Sequence, residues 1–499
     1  MAQSWLGRLL RGTVRSGRCL SNLPLWSTRG SRRRLKEEDE KRRQDVDPDD
    51  PTERSHGGSV SDILSIQFDE QEGWDELAHV ATEADASVFT MSSTSRQVVV
   101  SLQSQLPRQF IFECHPWILG SLRPSRWWLQ RGEVLGLGKK SVYFELGPVG
   151  TRDYPYAAKV FLISSNVIDV DKAFNDPNYA DRAKMLIDRE LARRLKREFN
   201  IRRLTANDDP LSLLAKQGLL VPLCWGYVTS ISAEMLRVSP SLISTRFFVI
   251  YPRMACTLEE LAFHSLGISA KLVLTEQCLN LVTKFHENGC IHRNLSLDSF
   301  MLDFKGHIYL RNTRRAGRYT GKPEEFVVPE DLLYLDPDTA ISMVRHPAGK
   351  VISTQSRDSW ALGITLFVLW FGRLPYSMSE LERGDPEGKV RSLALLPFLG
   401  YRLEDTFQAC RTSVPQAVKD ILSCLLCLKG SQRRPPEDVW RTNTLLRHVR
   451  ENVASVQGLP RTTPGGSSCP ALDLFFFQNC WPHLGAPLGQ YTGFCVRFG

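Results

Sequence analysis

The chain has 499 residues, 42% of them hydrophobic, which is enough to bury one large core or two smaller ones. Its formal charge of +8 arises in residues 1–36, which hold nine basic residues and no acidic ones and leave 54 basic against 55 acidic residues elsewhere. A basic face of the kind that binds nucleic acid is therefore not indicated outside the N-terminus. No run of about 18 apolar residues is present, so we expect no membrane-spanning helix.

The N-terminal region divides into three predicted parts. Residues 1–36 place apolar and arginine side chains at spacings of three and four, which is typical of an amphipathic helix on an anionic membrane. A transit peptide for an organelle and a disordered basic tail are the alternatives. Residues 37–59 alternate acidic and basic blocks, a pattern typical of a solvated linker. Residues 60–126 form an N-terminal extension in which the runs 95–102 and 109–113 predict short strands.

Residues 127–450 predict strands, a helix, further strands and then mainly helices, an order that indicates an α+β fold with two lobes. The tail, residues 451–499, contains an apolar run that either docks on the domain or forms a poorly ordered end. The twelve cysteines are too sparse for a disulfide scaffold. Cys424 and Cys427 form a C-x-x-C that we interpret as buried thiols of a core helix, with a disulfide or redox pair as the alternative.

The first strands of this domain carry a glycine-rich loop typical of a protein kinase. Gly136 and Gly138 would let backbone amides approach the phosphates of ATP, and Ser141 stands at the position of the third glycine. Ala157 and Lys159 on the next strand form an A-x-K pattern, in which the lysine neutralises the α and β phosphates. A surface lysine on a strand is the alternative.

The lysine requires a carboxylate on the following helix. We prefer Glu198 because a strand-like run follows it at a suitable distance, and Glu190 is the competing candidate. The long separation from Lys159 predicts an insertion near residues 162–180. The next strand leads to the hinge between the lobes and would place Ile250 where it gates the nucleotide pocket.

The helical half carries residues that we expect to hold the shape of the domain. Asp358 begins a helix, and its carboxylate would brace the backbone of the catalytic loop. Residues 328–330 match the A-P-E that closes an activation segment. Glu330 of this motif would form a buried ion pair with Arg434.

The catalytic loop itself departs from the kinase pattern H-R-D-L-x-x-x-N. Arg293 is retained, but Asn294 replaces the aspartate that acts as general base, and Ser299 replaces the asparagine that binds magnesium. Asn312 stands where the aspartate of D-F-G belongs, so both magnesium ligands are altered. Loss of the general base alone lowers the rate by about 10² to 10⁴.

Two features could compensate for these losses. Asp298 and Asp303 lie close to the altered positions and would bind a metal ion by a shifted geometry. Arg314 and Arg315 follow Asn312 and would replace the charge of magnesium against phosphate, or form a solvated basic activation segment.

With these residues, the chain resembles the rhoptry kinase family of apicomplexan parasites, particularly its pseudokinase members. Val249–Leu258 is similar to the hinge sequence of the family, and Ser359–Gly363 and Cys410–Val418 are similar to its late helices. The resemblance covers about residues 127–450. It implies export from rhoptries to the host cell or the parasitophorous vacuole, and it implies that residues 1–36 hold the vacuolar membrane. No signal peptide is recognised, so a location in an organelle or the cytoplasm is the alternative.

We therefore predict a pseudokinase that acts by binding proteins, with host proteins as the partners that the resemblance implies. ATP is expected as an optional ligand, magnesium as a weak or absent one, and nucleic acid as no partner. The alternative is an atypical but active Ser/Thr kinase with displaced metal ligands. In a third interpretation, residues 1–36 are the functional segment and carry the kinase-like domain to a membrane or an organelle.

Overall fold

The computed structural model describes residues 69–456, so the segments 1–36 and 37–59 and the tail beyond residue 456 lie outside the described part. Within these bounds the description omits residues 87–92, 117–124, 139, 206–209, 263, 321–323, 326–328, 347–349, 352–353, 377–384 and 411–413.

The described residues form a strand-rich lobe followed by a mainly helical one, as predicted. The strands of the first lobe are β1 (Gln109–Pro116), β2 (Ser125–Gly138), β3 (Ser141–Pro148), β4 (Tyr156–Phe161), β5 (Ile163–Ser164), β6 (Cys224–Val228), β7 (Met235–Ser239), β8 (Leu242–Thr245) and β9 (Phe247–Pro252). The helices up to this point are α1 (Glu70–Ala86), α2 (Ser93–Gln105), α3 (Val170–Asn175), α4 (Pro177–Glu198), α5 (Asn200–Leu204) and α6 (Pro210–Gln217).

The second lobe consists largely of helices packed around α8. Its helices are α7 (Leu258–Leu261), α8 (Ile268–Glu287), α9 (Pro337–Arg345), α10 (Gln355–Phe371), α11 (Pro386–Leu395), α12 (Leu403–Ala409), α13 (Gln416–Leu425), α14 (Pro436–Thr442) and α15 (Thr444–Val456). Its short strands are β10 (Cys256–Thr257), β11 (Cys290–Ile291), β12 (Phe300–Leu302), β13 (Ile308–Leu310), β14 (Gly317–Arg318), β15 (Glu324–Glu325) and β16 (Lys350–Val351). None of the helices within the described ranges is both long and apolar enough to cross a bilayer.

Six strands of the first lobe close into an antiparallel barrel in the order β1-β2-β3-β4-β9-β6. Strand β1 comes from the N-terminal extension and pairs with both β2 and β6, so Phe112 lies opposite Trp127 on one side and Val228 on the other. Alternate side chains of these strands point inward and form one apolar core. The run 109–113 is thus a strand, as predicted, and the extension supplies part of the barrel.

The strand predicted at residues 95–102 is wrong, because this run lies within helix α2. Val98, Val99 and Leu102 are buried against the barrel core, whereas Val100 is 57% exposed. Three consecutive valines favour a strand by propensity, but burial at spacings of three and four residues decides for a helix here.

Helix α1 packs on the second lobe rather than on the barrel. Trp74 and Leu77 are buried in the same apolar cluster as Leu274 of α8. Near the end of α1, Asp85 forms an ion pair of 2.5 Å with Arg253, which follows β9 directly. The extension therefore contacts both lobes and the segment that joins them.

Helix α4 positions the charged residues of the cleft between the lobes. Pro177 occupies its first turn, and the side chain of Asp176 caps it by accepting a hydrogen bond of 2.9 Å from the backbone N–H of Asn178. Its buried face, which includes Ile187 and Leu191, packs against the outer surface of the barrel. The helix ends at Glu198. The region 162–180, predicted as an insertion, holds β5, α3 and the start of α4.

We predict that Leu77→Ala lowers the free energy of unfolding by about 2–5 kcal/mol, because it leaves a cavity where α1 meets the second lobe. The control is Val100→Ala on the exposed side of α2, for which a change within about 0.5 kcal/mol is expected. Urea unfolding of the purified chain measures both. Equal small effects would contradict the packing of α1.

Candidate active site

A buried ion pair joins β4 to the end of α4, as predicted. Lys159 is 6% exposed, and its Nζ lies 2.6 Å from Oε1 of Glu198. Burial acts to lower the pKa of Lys159, but the carboxylate of Glu198 outweighs it and the pKa is raised. The other oxygen of Glu198 accepts a hydrogen bond of 2.5 Å from the hydroxyl of Tyr251. Glu190, the competing candidate, pairs instead with Arg194, so Glu198 is the partner of the strand lysine.

Aromatic rings surround the ammonium group of Lys159. Its Nζ lies 5.6 Å from the ring centre of Tyr143, 5.5 Å from that of Phe161 and 6.0 Å from that of Tyr251. Tyr143 stands directly opposite Lys159 in the β3–β4 pair. Cation–π contacts of this kind favour the charged lysine. They also place aromatic rings beside the group that would contact phosphate. The position of Tyr143 could have been predicted from the sequence, because Tyr143 follows Ser141 by two residues on the same strand.

The prediction that Ile250 gates the nucleotide pocket is wrong. In the β4–β9 pair, Ile250 lies opposite Ala158, and its side chain is in the interior of the barrel. Successive residues of a strand face opposite sides, so Tyr251 lies on the same face as Lys159, opposite Ala157. Val249 and Tyr251 are thus the residues of β9 on the face of Lys159, and Ala157 is on the expected face.

The glycine-rich segment forms the turn between β2 and β3. Gly138 lies opposite Ser141 in this hairpin, and Ser141 is buried. Among the described residues, no atom lies within 4 Å of the position that a Cβ of Gly136 would occupy. The backbone at Gly136 therefore borders open space, as a loop that approaches a ligand does.

The carboxylate of Asp358 holds the catalytic loop, as predicted. It accepts hydrogen bonds from the backbone N–H groups of His292 at 2.6 Å and Arg293 at 2.9 Å. His286 of α8 lies 3.0 Å from the same carboxylate. Arg293 has a left-handed backbone, with φ of 66°, a conformation that non-glycine residues adopt only when their surroundings fix it. The ring Nε2 of His292 donates to the carbonyl of Arg311 at 2.8 Å, which links this loop to the segment before Asn312.

The two replaced residues of the catalytic loop both have partners within the chain. Oδ1 of Asn294 accepts a hydrogen bond of 2.7 Å from the backbone N–H of Glu330. Ser299 is fully buried, and its hydroxyl donates to the carbonyl of Asn294 at 2.9 Å. The side chains at the positions of the general base and of one metal ligand thus stabilise the loop itself.

The position of the second metal ligand is similarly engaged. Asn312 has a left-handed backbone, and its Nδ2 donates to Oδ2 of Asp298 at 2.8 Å. The guanidinium of Arg311 forms an ion pair with the other oxygen of Asp298. Asp303, the second candidate for a displaced ligand, accepts hydrogen bonds from the backbone N–H groups of Lys305 and His307, both at 2.9 Å. Within the described residues, no group of three or more His, Cys, Asp or Glu side chains is arranged to hold a metal ion.

The predicted ion pair between Glu330 and Arg434 is wrong. Glu330 pairs instead with Arg314 at 2.8 Å and with Arg315 at 3.4 Å. Arg434 donates a hydrogen bond of 3.1 Å to the hydroxyl of Thr442. The side chains at 433 and 434 point in different directions, and the sequence does not show which of them enters the core.

Arg433 forms the buried ion pair that was assigned to Arg434. Its side chain is 1% exposed and lies 4.0 Å from Asp336 and 3.8 Å from Asp338. Asp336 also caps helix α9 by accepting a hydrogen bond of 3.0 Å from the backbone N–H of Thr339. The acids that anchor the end of the activation segment are thus Asp336 and Asp338, and Glu330 lies upstream of them, over the catalytic loop.

Cys424 and Cys427 are free thiols and are both partly buried. Burial raises the pKa of the Cys424 thiol, which keeps it protonated at neutral pH. Cys424 lies in α13, but Cys427 lies two residues beyond the end of that helix. The interpretation as buried thiols of a core helix therefore holds only in part, and the two residues are not joined by a disulfide.

The two-lobed architecture and the positions of the site residues are those of a protein-kinase fold. A kinase-like family profile matches residues 246–433. Rhoptry protein 4 of Toxoplasma gondii is 30% identical over 158 residues, which is 31% of this chain and 23% of that protein. Serine/threonine-protein kinase ROP17 of the same organism is 26% identical over 136 residues, 26% of this chain and 22% of that protein. The chain thus spans about a fifth of the length of these relatives.

Solved structures support the same fold. The structure described as ROP2 from Toxoplasma gondii, a virulence factor with a protein-kinase fold and no enzymatic activity, has a TM-score of 0.56 and 20% identity over 78% of this chain and 99% of that one. The ROP18 kinase domain in complex with AMP-PNP and sucrose has a TM-score of 0.53 and 17% identity over 78% and 96%. Over the matched residues the chain is thus similar to rhoptry proteins, and the predicted resemblance is confirmed to that extent.

We predict that Lys159→Met lowers the free energy of unfolding by about 3–5 kcal/mol, because it leaves the carboxylate of Glu198 buried without its cation. The double variant Lys159→Met/Glu198→Gln removes both charges and keeps an acceptor for Tyr251, so it should be more stable than the single variant. Urea unfolding compares the two. A double variant as unstable as Lys159→Met would contradict a buried ion pair.

A second comparison tests the anchor of the activation segment. Arg433→Gln should lower the free energy of unfolding by about 3–5 kcal/mol, since two carboxylates lose a buried cation. Arg434→Gln removes the same charge one residue away and should cost about 1 kcal/mol, the value of a single hydrogen bond. Thermal and urea unfolding measure both, and a larger effect at Arg434 would restore the original assignment.

Proposed function

We propose that the chain is a catalytically impaired protein-kinase-like protein, a pseudokinase, that acts by binding other proteins. One observation carries the proposal: the side chain of Asn294 accepts the backbone N–H of Glu330 at 2.7 Å. In an active kinase the aspartate at this position accepts the proton of the substrate hydroxyl. A neutral amide has no such basicity, and here its oxygen already has a donor.

The magnesium positions support the same proposal. Asn312 donates to Asp298, and Ser299 donates to the carbonyl of Asn294, so both side chains act as hydrogen-bond donors where a metal ion requires oxygen lone pairs. Arg311 compensates the charge of Asp298, the nearest carboxylate. These residues do not fit a magnesium site, and the function proposed does not use one.

ATP enters the proposal as an optional ligand. Lys159 and Glu198 are paired as a kinase needs them to hold the α and β phosphates, and Gly136 borders open space. The rings of Tyr143 and Tyr251 lie beside the lysine and restrict the approach of a nucleotide. Nucleotide binding would then be weak and would serve to stabilise the fold.

The relatives supply the setting of the proposal. Two similar curated proteins are rhoptry proteins of Toxoplasma gondii, and the structure titled ROP2 is described as a virulence factor without enzymatic activity. We propose by this relation that the chain is a rhoptry effector that engages host proteins in the host cell or at the parasitophorous vacuole. Membrane attachment through residues 1–36 belongs to the same proposal, as does the absence of nucleic acid among its partners.

An active Ser/Thr kinase is the second candidate. Two named relatives favour it, since ROP17 is called a serine/threonine-protein kinase and the ROP18 structure is described with AMP-PNP. It would require Asp298 to leave Arg311 and Asn312 and to bind a metal ion instead.

A phosphotransfer assay separates the two candidates. With labelled ATP, magnesium or manganese, and a generic protein substrate, we expect the wild-type chain to incorporate no more phosphate than Lys159→Ala. The restored variant Asn294→Asp/Ser299→Asn/Asn312→Asp reports whether the missing groups are enough to recover activity. Metal-dependent incorporation by the wild type that is lost in Lys159→Ala would overturn the pseudokinase proposal.

A further inference from the structure

Cationic side chains from three elements lie beside the cleft, where α4 contacts the 3-10 turn Thr313–Arg315. Arg193 and Arg197 lie one turn apart near the end of α4. Arg314 and Arg315 lie in the 3-10 turn that follows Asn312. These four arginines, together with Arg194 and Lys140, are called the arginine cluster.

The glycine-rich turn is fixed to this cluster. The guanidinium of Arg194 donates to the carbonyl of Lys140 at 3.2 Å and to that of Leu162 at 2.8 Å. Lys140, which directly precedes β3, is therefore held beside the end of α4, with its side chain exposed. The cluster thus extends from the loop that would cover a phosphate to the segment that would hold magnesium.

Ion pairs among the described residues neutralise only part of the cluster. Glu190 pairs with Arg193 and Arg194, and Glu330 pairs with Arg314 and Arg315. The six cations and these two carboxylates have a summed charge of +4. In the described part of the chain, no carboxylate forms an ion pair with Arg197.

The cations influence one another. Partial burial and the neighbouring Arg193 lower the pKa of Arg197, and Arg314 adds to this effect. Burial, followed by Arg194, likewise lowers the pKa of Lys140. The negative end of the α4 dipole accounts for cations in the last turn of that helix, but it does not account for Lys140, which comes from another element.

We propose that the arginine cluster binds a multivalent phosphate anion without a metal ion. Guanidinium groups form paired hydrogen bonds to phosphate oxygens, and they would supply the positive charge that magnesium supplies in active kinases. The ligand is either the triphosphate of a nucleotide or a free polyphosphate. The inference extends the optional nucleotide binding of the proposed function, but it does not depend on the loss of phosphotransfer, because it concerns binding alone.

The test is isothermal titration of the full chain at physiological salt with EDTA present. The probes are inorganic tripolyphosphate, ATP and adenosine. We expect tripolyphosphate and ATP to bind and adenosine not to bind. Equal affinity for the two would identify the phosphate chain alone as the ligand, whereas tighter binding of ATP would identify a nucleotide.

Variants locate the site. Arg193→Gln/Arg197→Gln should weaken tripolyphosphate binding at least tenfold. Lys196→Gln removes an exposed charge from the same turn of α4 and should leave binding within twofold of wild type. Thermal unfolding confirms that each variant is folded. Binding that requires magnesium, binding lost equally in Lys196→Gln, or no binding at millimolar tripolyphosphate would overturn the proposal.

Discussion

The buried carboxylate of Asp358 is the interaction on which the geometry of the site depends. It fixes the backbone of His292 and Arg293 and contacts the ring of His286 on the central helix. Burial acts to raise the pKa of Asp358, but the hydrogen bond from His286 and the groups near it outweigh burial, so the pKa is lowered and the group stays ionised. An ionised buried carboxylate is stable only while its donors remain in place. The loop therefore has a backbone anchor that does not involve the side chain at position 294.

Within that fixed shape, the replaced residues have acquired structural roles. Asn294 receives the backbone of Glu330, Ser299 closes the loop on itself, and Asn312 joins Asp298. Each of these side chains now pairs with a polar group that is partly or fully buried, and such a group costs free energy when left unpaired. Substituting the usual kinase residue at one of these positions would add a charge to this hydrogen-bond network or remove a donor from it.

The sequence predicts a contact best where a residue type in a motif has a single structural role. A lysine in A-x-K requires a carboxylate, and Glu198 supplied it; an aspartate after the activation segment braces the loop, and Asp358 does so. The sequence does not predict a contact correctly when the contact depends on which of two neighbouring residues faces the core. Ile250 and Tyr251 differ only in the side of one strand.

The same limit explains the other errors. Arg433 and Arg434 are chemically identical, and only their packing shows that Arg433 is the buried one. The valines of α2 favour a strand until the barrel below them is known. Phe161 lies on the strand of Lys159 and Tyr143 follows Ser141, so both leave a local signal, whereas Tyr251 reaches Lys159 from another strand and no local pattern reports it.

The closure of the barrel by β1 limits how the barrel can bind other proteins. An open sheet exposes unpaired N–H and C=O groups along its outer strands, and partners often attach there by adding a strand. In this barrel β1 takes that place, since its backbone pairs with β2 on one side and with β6 on the other. A protein that binds the barrel must therefore contact its side chains and loops. The specificity of such binding then depends on residues that can change without disturbing the fold.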